Sequence, residues 1–218
     1  MSVSFIQQLD TNLGGGAVIK AVIFDAGGVL HDLPMDNVYD DVANTFGISR
    51  QELEEAWSGP LNQLGLGKIT EVEFWELVLR NLRWPYDLPR TDLLVREFIA
   101  HYGLHHDVLT IVDQLKERGV KTVVLSNTIK PHADYAYQIG LYHRFDVRVL
   151  SHEVHFRKPD WRIWGIALRQ LNIIPEEAIY FDDLLSYVSA AQDLGIHAFL
   201  YENARKVAGH LRAAGIEI

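Results

Sequence analysis

Four short polar segments of the sequence carry side chains whose chemical types suit phosphoryl transfer. They lie at or near the ends of apolar runs, and they are Asp25, Ser126-Asn127, Lys158 and Asp182-Asp183. Carboxylate oxygens are the ligands that Mg²⁺ prefers in proteins. Clustered carboxylates resist ionisation unless a cation balances their charge. The three aspartates therefore predict a magnesium site.

The other members of this set predict how a phosphate group is held and attacked. Lys158 supplies a point positive charge for a phosphoryl oxygen. The hydroxyl of Ser126 and the backbone N–H groups of the loop at Asn127 can donate to the remaining oxygens. A carboxylate held in line with phosphorus by these groups can attack it, so Asp25 is predicted to form an aspartyl-phosphate intermediate.

The elements that must position these residues follow from the hydrophobic pattern. Short apolar runs flanked by glycine or polar residues predict strands at Val18–Phe24, Lys121–Leu125, Ala178–Phe181 and Ile196–Leu200. Apolar residues at three- and four-residue spacing predict helices at Asp107–Arg118, Trp161–Leu171 and Leu184–Leu194. This alternation predicts an α/β fold, a doubly wound parallel sheet with helices on both faces. Its ligand site is expected at the carboxyl ends of the strands.

The segment between the first two predicted strands has a different pattern. It has helical periodicity without a convincing strand, and helices are predicted at Asn37–Phe46, Arg50–Trp57, Glu71–Arg83 and Thr91–His101. Thr70 followed by Glu73 is typical of a capping box at the start of the third helix. We therefore predict a flexible leader at 1–16, a core domain at 17–34 and 103–218, and an inserted α-helical cap domain at 35–102.

Composition excludes several classes of protein. The sequence has no cysteine, which excludes disulfides, thiolate zinc sites and a catalytic thiol. Its formal charge of −9 opposes binding to nucleic acid or to an anionic membrane. No apolar run reaches the roughly 18 residues that a membrane-spanning helix needs, and the N-terminus lacks the pattern of a signal peptide. The expectation is a cytoplasmic protein without a nucleic-acid or membrane partner.

The chemistry-bearing segments resemble the haloacid dehalogenase superfamily. Segments similar to its four motifs occur in the family's order, at Phe24–Leu30, Leu125–Thr128, Arg157–Asp160 and Phe181–Asp183. The resemblance is to the subfamily with a helical cap, in particular to sugar-1-phosphate phosphatases and to the N-terminal phosphatase-like domain of epoxide hydrolases. It implies a Rossmann-like core, a Mg²⁺ cofactor and hydrolysis of a small phosphorylated metabolite by a monomer or homodimer.

The resemblance also implies roles for individual residues. The catalytic residues it implies are Asp25 as the nucleophile, Ser126 and Lys158. The substrate phosphate is expected to contact Ser126, Asn127 and Lys158. The expected metal ligands are Asp25, the backbone carbonyl of Gly27, Asp183 directly, and Asp182 in the inner or second shell.

Two positions depart from the family's pattern. Gly27 stands where phosphatases of the family usually place a second aspartate, which protonates the leaving oxygen and later activates water. General acid–base help of this kind contributes typically about 10²–10⁴-fold in rate. Tyr187 stands where a polar residue, often asparagine, commonly braces the metal site. Asp32 or His31 is a candidate for the missing proton transfer, although a loop acid is more often a solvated turn residue.

Two other functions fit parts of the pattern. A haloacid dehalogenase uses the same nucleophile to displace halide, lacks the second aspartate and needs no metal. The Asp182-Asp183 pair and the small residue Gly27 argue against it. A non-catalytic relative that binds a phosphorylated ligand explains the loss of the acid, but such a protein has little use for the nucleophile Asp25.

Overall fold

The computed structural model describes residues 18–32, 35–85 and 93–218 of the chain. It contains a five-stranded sheet in the order β3-β2-β1-β4-β5, and every neighbouring pair is parallel. The strands are β1 (Ala21–Phe24), β2 (Lys121–Ser126), β3 (Val147–Leu150), β4 (Ala178–Asp182) and β5 (His197–Leu200). This topology confirms the predicted doubly wound parallel sheet.

The helices of the described residues connect these strands and fill the segment between β1 and β2. They are α1 (Met35–Phe46), α2 (Arg50–Gly65), α3 (Glu71–Asn81), α4 (Leu93–Ala100), α5 (His106–Glu117), α6 (Lys130–Gln138), α7 (Ser151–Val154), α8 (Arg162–Leu171), α9 (Leu185–Gln192) and α10 (Ala204–Ala213). Gly119 and Gly195 follow helical segments with φ of +72° and +90°. Both glycines therefore end helical segments in the left-handed conformation.

Helices cover both faces of the sheet because its central strands are apolar on both sides. In β1, Val22 and Phe24 face α5 and α10, whereas Ile23 faces α8 and α9. All three side chains are fully buried. Parallel sheets covered on both faces require such continuous apolar runs. The carboxyl ends of the strands are therefore the open edge at which polar side chains can meet.

The edge strand β3 and helix α6 were not predicted from the sequence. β3 has only four residues, and Val147 and Arg148 in its first half are partly exposed. Its place is fixed by pairing with β2 and by Asp146, whose carboxylate accepts the backbone N–H of Thr122 at 2.9 Å. These contacts join residues more than 20 positions apart, so the local pattern does not contain them.

Helices α1 to α4 pack around their own apolar cluster, which includes Trp57, Phe74 and Trp75. The predicted capping box of α3 is confirmed, since the Thr70 hydroxyl and the Glu73 carboxylate bond each other's backbone N–H groups. α2 extends beyond its predicted end and continues through Pro60. The predicted leader lies outside the described residues, and the predicted domain boundaries stay a prediction.

The loop after α2 is bonded to the sheet-bearing part of the chain. The Ser151 hydroxyl donates to the carbonyl of Gly65 at 2.6 Å, and His155 Nδ1 donates to the carbonyl of Leu66 at 2.9 Å. Gly67 has φ of +63°, and a Cβ there would lie 2.0 Å from the carbonyl oxygen of His152. Only glycine permits this close approach. Within the described ranges, no helix has both the length and the apolar character needed to cross a membrane.

Candidate active site

Strand register brings three of the predicted residues together. Phe24 of β1 is in register with Phe181 of β4, so the next residues, Asp25 and Asp182, are neighbours. The backbone N–H of Asp25 donates to the carbonyl of Phe181 at 2.9 Å. Ser126 ends β2, on the other side of β1. As whole residues, Asp25, Asp182 and Ser126 are 7%, 0% and 4% exposed, respectively, so the site is largely shielded from water.

Lys158 enters this site from the loop after α7 and joins two of the carboxylates. Its Nζ lies 2.6 Å from Oδ1 of Asp25 and 2.7 Å from Oδ2 of Asp182. Burial by itself lowers the pKa of Lys158, but the two carboxylates outweigh that cost and raise it. The lysine is therefore a permanent positive charge between two aspartates. Removing it leaves two buried carboxylates facing each other.

Burial raises the pKa of the Asp25 carboxyl to about 7. The Lys158 ammonium opposes this rise, and the Asp182 carboxylate adds to it. When Asp25 is ionised, the cluster of two carboxylates and one ammonium carries one excess negative charge in a water-poor environment. A carboxylate with this surplus is reactive as a nucleophile and attracts a further cation.

Asp182 is held by donors on both of its carboxylate oxygens. Oδ2 accepts from Lys158 and from the hydroxyl of Tyr180, and Oδ1 accepts the backbone N–H of Leu184 at 2.9 Å. Burial, followed by the charges of Asp25 and Asp182, raises the pKa of Tyr180 well above its ordinary value, so the tyrosine stays a donor. Asp182 thus fixes the position of Lys158. Tyr180 was missed by sequence reasoning, because an aromatic residue inside an apolar strand gives no functional signal.

Asp183 has the opposite environment and faces solvent. One carboxylate oxygen from each of Asp25, Asp182 and Asp183 lies within 4.8 Å of the others. Burial of part of the side chain and the charge of Asp182 raise the pKa of Asp183. A glycine is needed beside it: Gly28 has φ of +77°, and a Cβ there would lie 2.3 Å from Oδ2 of Asp183.

Gly28→Ala is expected to disturb the acidic cluster and to lower stability by about 1 kcal/mol or more, since alanine is strained at positive φ. Gly47→Ala is the matched control, because Gly47 has φ of +65° and a Cβ added there would meet no atom within 4 Å. Alanine at either position loses stability because of the positive φ, but only Gly28→Ala displaces Asp183. Melting temperatures with and without Mg²⁺ separate the two effects. Equal Mg²⁺ responses in both variants contradict this role of Gly28.

Asn127 positions the lysine loop with its side chain. Its Oδ1 accepts the backbone N–H of Lys158 at 2.8 Å, and its Nδ2 donates to the Lys158 carbonyl at 3.1 Å and to the Tyr187 hydroxyl at 3.3 Å. The Tyr187 ring centroid lies 5.0 Å from Lys158 Nζ. Tyr187 therefore supports Asn127 and Lys158, and the side chain of Asn127 is already engaged. Its backbone N–H is the group left for a phosphate oxygen.

A cavity of about 300 Å³ opens onto these residues. Besides the predicted residues, it is lined by residues that sequence reasoning did not assign: Met35, Phe98, His132, Ala136, Tyr142, Arg157 and Leu184. No local signal could identify them, because they come from separate parts of the chain; the packing of α4 against α6, for example, brings Phe98 and His132 together. His31 also lines the cavity, whereas Asp32 is absent from its lining and bonds His105 Nε2 at 3.0 Å. Of the two proposed substitutes for the missing acid, only His31 faces the site.

Comparison with known protein families supports the assignment suggested by this geometry. The family model described as haloacid dehalogenase-like hydrolase matches residues 19–195. The chain belongs to this hydrolase family. It is therefore an enzyme of the hydrolase class, and the four-motif resemblance found in the sequence is confirmed.

Three curated relatives show the range of activities near this chain. A phosphatase of Mycobacterium tuberculosis is 27% identical, over 85% of this chain and 88% of its own. A glyceraldehyde 3-phosphate phosphatase of Methanopyrus kandleri is 35% identical, over 77% of both chains. An (S)-2-haloacid dehalogenase of a Pseudomonas species is 28% identical, over 74% of this chain and 75% of its own.

The fold also matches solved structures of the family. A family enzyme of Bacteroides thetaiotaomicron, solved in complex with magnesium and inorganic phosphate, superposes with a TM-score of 0.72. The match is 23% identical and covers 85% of this chain and 95% of the other. At this identity the likeness establishes the fold.

Proposed function

We propose that the protein is a Mg²⁺-dependent hydrolase of small phosphate monoesters that works through an aspartyl phosphate on Asp25. The observation that carries the proposal is the placement of Lys158 between Asp25 and Asp182, with the carboxylate of Asp183 close by and exposed. A nucleophile, a fixed positive charge and a cation site then share one cavity. The phosphatases among its relatives and the magnesium–phosphate complex of a structural neighbour support this proposal.

The donor set fits a magnesium ion. The clustered carboxylate oxygens lie within 4.8 Å of one another, and among the described residues no side chain donates to Asp183. We assign Asp25, Asp183 and the carbonyl of Gly27 as the residues that hold Mg²⁺, with Asp182 supporting them through Lys158. When bound, Mg²⁺ supplies charge stabilisation for the oxygens of the transferring phosphoryl group.

Four residues of the chain have separate roles in the reaction. Ionised Asp25 attacks phosphorus while the bond from phosphorus to the leaving oxygen breaks, and the leaving oxygen takes a proton from water. Lys158, the Ser126 hydroxyl and the Asn127 backbone N–H donate to the phosphoryl oxygens as negative charge develops on them. Water then attacks phosphorus of the aspartyl phosphate, which releases phosphate and restores the Asp25 carboxylate.

The absence of an acid at Gly27 shapes the preferred substrate. Without proton assistance, the leaving oxygen departs most readily when it is weakly basic. Aryl, acyl and anomeric sugar phosphates are therefore favoured over simple alkyl phosphates. This substrate preference rests on the absence of an acid at Gly27.

Two features of the site weigh against the rival functions. Displacement of halide needs no divalent cation, yet Asp183 adds a carboxylate to a cluster that already carries excess negative charge. A binding protein needs no nucleophile, yet Asp25 is buried against Lys158. A screen of phosphate esters and 2-haloacids, with and without Mg²⁺, separates the three functions directly.

Beryllium fluoride, which mimics a phosphoryl group on a carboxylate, is expected to raise the melting temperature only when Mg²⁺ is present. The reason is that the complex needs the metal, Asp25 and Lys158 together. Differential scanning fluorimetry measures the shift in the wild type and in Asp183→Asn. Asp160→Asn is the control, because Asp160 pairs with Arg162 outside the cluster. A shift of equal size without Mg²⁺, or in Asp183→Asn, argues against the metal site.

A further inference from the structure

Two histidine rings line the active-site cavity without any part in the chemistry described above. His31 follows the turn after β1, and His132 lies in the first turn of α6. Each ring makes one hydrogen bond to a backbone carbonyl: His31 Nδ1 to Asp32 at 2.8 Å, and His132 Nε2 to Leu94 at 3.3 Å. These carbonyls anchor the rings at the edge of the cavity.

The anchoring bonds determine which ring nitrogens carry hydrogen. A carbonyl oxygen only accepts, so His31 Nδ1 and His132 Nε2 must be the protonated nitrogens. In the described part of the chain, the other nitrogens, His31 Nε2 and His132 Nδ1, have no hydrogen-bond partner. Burial lowers the pKa of His132 to about 3, so that ring is neutral at physiological pH. Its free nitrogen presents a lone pair.

Aromatic packing holds both rings in place. Phe98 of α4 stacks on His132 with a centroid distance of 3.9 Å and an interplanar angle of 9°, and its edge meets His31 at 5.7 Å. Tyr102 stacks on the other ring, His31, at 4.4 Å. Because α4 belongs to the helical insertion, the insertion fixes the orientation of both acceptors. Two immobilised acceptors lose little entropy when a ligand donates to them.

We propose that His132 Nδ1 and His31 Nε2 accept hydrogen bonds from hydroxyl groups of the leaving alcohol, so that the enzyme selects uncharged polyol phosphates. This specificity rests on the proposed phosphatase function and extends it to the substrate class. The cavity of about 300 Å³ is at the small end for ligand sites and admits a phosphate with a short polyol. When the leaving group has no hydroxyl, the lone pairs of the two histidines are removed from water and gain no hydrogen bond in return. Binding is then weaker.

The charges around the cavity favour an uncharged leaving group. Arg157 lines it and donates to Asn62 Oδ1 at 2.5 Å, and the described residues provide no carboxylate partner for it. This guanidinium repels an ammonium group. A carboxylate would be attracted to Arg157, but it has no hydrogen to donate to the two imidazoles. A hydroxyl group satisfies the imidazoles without adding a charge.

The test measures binding of phosphonates, which contain a P–C bond and are not hydrolysed. Calorimetry with wild-type protein and Mg²⁺ compares butylphosphonate, 3,4-dihydroxybutylphosphonate, 4-aminobutylphosphonate and 4-phosphonobutanoate. The dihydroxy compound is expected to bind about tenfold more tightly than butylphosphonate, the gain of one or two net hydrogen bonds. This preference should fall to about threefold in His132→Phe, which keeps an aromatic ring for Phe98 but leaves only His31 Nε2 of the two acceptors. His132→Asn, whose Oδ1 can replace Nδ1, should retain more of it.

Controls make the outcomes distinguishable. His106→Gln replaces an exposed histidine and should keep the wild-type preference. Circular dichroism checks that each variant is folded. If His132→Phe does not fold, His31→Phe takes its place in the comparison. Equal wild-type affinities for the dihydroxy and butyl compounds overturn the proposal, as does an unchanged preference in folded His132→Phe. Tightest binding of the amino compound or of phosphonobutanoate also overturns it, in favour of a charged leaving group. If the hydroxyl preference holds but no aryl or anomeric sugar phosphate is hydrolysed with Mg²⁺, only the proposed function is wrong; if no phosphonate binds, both are wrong.

Discussion

Asp25→Asn is expected to lower kcat for phosphate ester hydrolysis at least about 10³-fold, because an amide cannot form the phosphoryl ester. The expectation follows from the position of Asp25 at the end of β1, 2.6 Å from Lys158. Mg²⁺-dependent release of phosphate from an aryl ester measures the loss. Mass spectrometry of quenched wild-type enzyme should show a phosphoryl adduct on the peptide containing Asp25, and the variant should show none.

The same substitution is expected to leave the protein folded and, without Mg²⁺, more stable above pH 7. Burial raises the pKa of Asp25 to about 7, whereas an aspartate in an unfolded chain titrates near about 4. Between these values the folded state binds more protons than the unfolded state, so its stability falls as pH rises. Asparagine removes this loss. At pH 8 with a chelator, the variant should therefore melt at a higher temperature than the wild type.

A control separates the loss of the nucleophile from a general loss of charge. Asp193 is exposed at the end of α9, so Asp193→Asn should leave both turnover and stability near wild-type values. Preparations of Asp25→Asn must be checked for deamidation back to aspartate. Substantial Mg²⁺-dependent hydrolysis by a preparation free of deamidation is incompatible with Asp25 as the nucleophile.

The strands that carry the site could be predicted from the sequence because each is a buried, β-branched or apolar run followed by a polar residue. β1 and β4 are of this kind. Asp25 directly follows β1, and Asp182 is the last residue of β4. Parallel strands in a doubly wound sheet share a carboxyl edge, so pattern alone predicted that these residues meet. β3 lacked this signal, since its short edge sequence is half exposed and is defined by its pairing with β2.

Local signals placed the end of α2 wrongly by more than a helical turn. α2 was predicted to end at Trp57, yet the helix continues through Pro60, a residue that usually interrupts a helix, to Gly65. Pro60 is buried, and burial of this helix face outweighs the lost hydrogen bond. The end of this longer helix and the loop after it are hydrogen-bonded to Ser151 and His155. The position of the helix end therefore determines where the helical insertion contacts the sheet-bearing part of the chain.

The acidic residues of the site followed from the sequence, and the family resemblance implied Asp183 as the direct metal ligand, but the difference between the environments of Asp182 and Asp183 did not follow from it. Asp182 and Asp183 are adjacent and chemically identical, yet one is buried with donors on both oxygens and the other faces solvent. The difference arises because β4 ends at Asp182, so the chain turns at the next residue. The stacked pair Phe98 and His132 has no sequence signal, because the two residues lie on helices that meet only in the folded protein.

Gly27→Asp is expected to raise the hydrolysis rate of alkyl phosphates by about 10²-fold or more, within the range that general acid–base catalysis contributes. In the wild type the leaving oxygen departs without a proton from residue 27, so the rate should fall steeply as the pKa of the leaving alcohol rises. Aryl phosphates need little proton assistance and should gain far less. An aspartate is compatible with the backbone, because Gly28 has a positive φ whereas Gly27 does not.

A leaving-group series on wild type, Gly27→Asp and Gly27→Asn tests this expectation. Gly27→Asn is the matched control, since asparagine has nearly the same shape but cannot transfer a proton. The slope of log(kcat/KM) against leaving-group pKa should be steep for the wild type and for Gly27→Asn, and shallow for Gly27→Asp.

Rapid-quench kinetics should also show a burst in the wild type, because water attacks the aspartyl phosphate without a base. A shallow slope in the wild type, with chemistry shown to be rate-limiting, means that another group donates the proton. His31 is then the first residue to substitute, since it lines the cavity while Asp32 is bonded to His105.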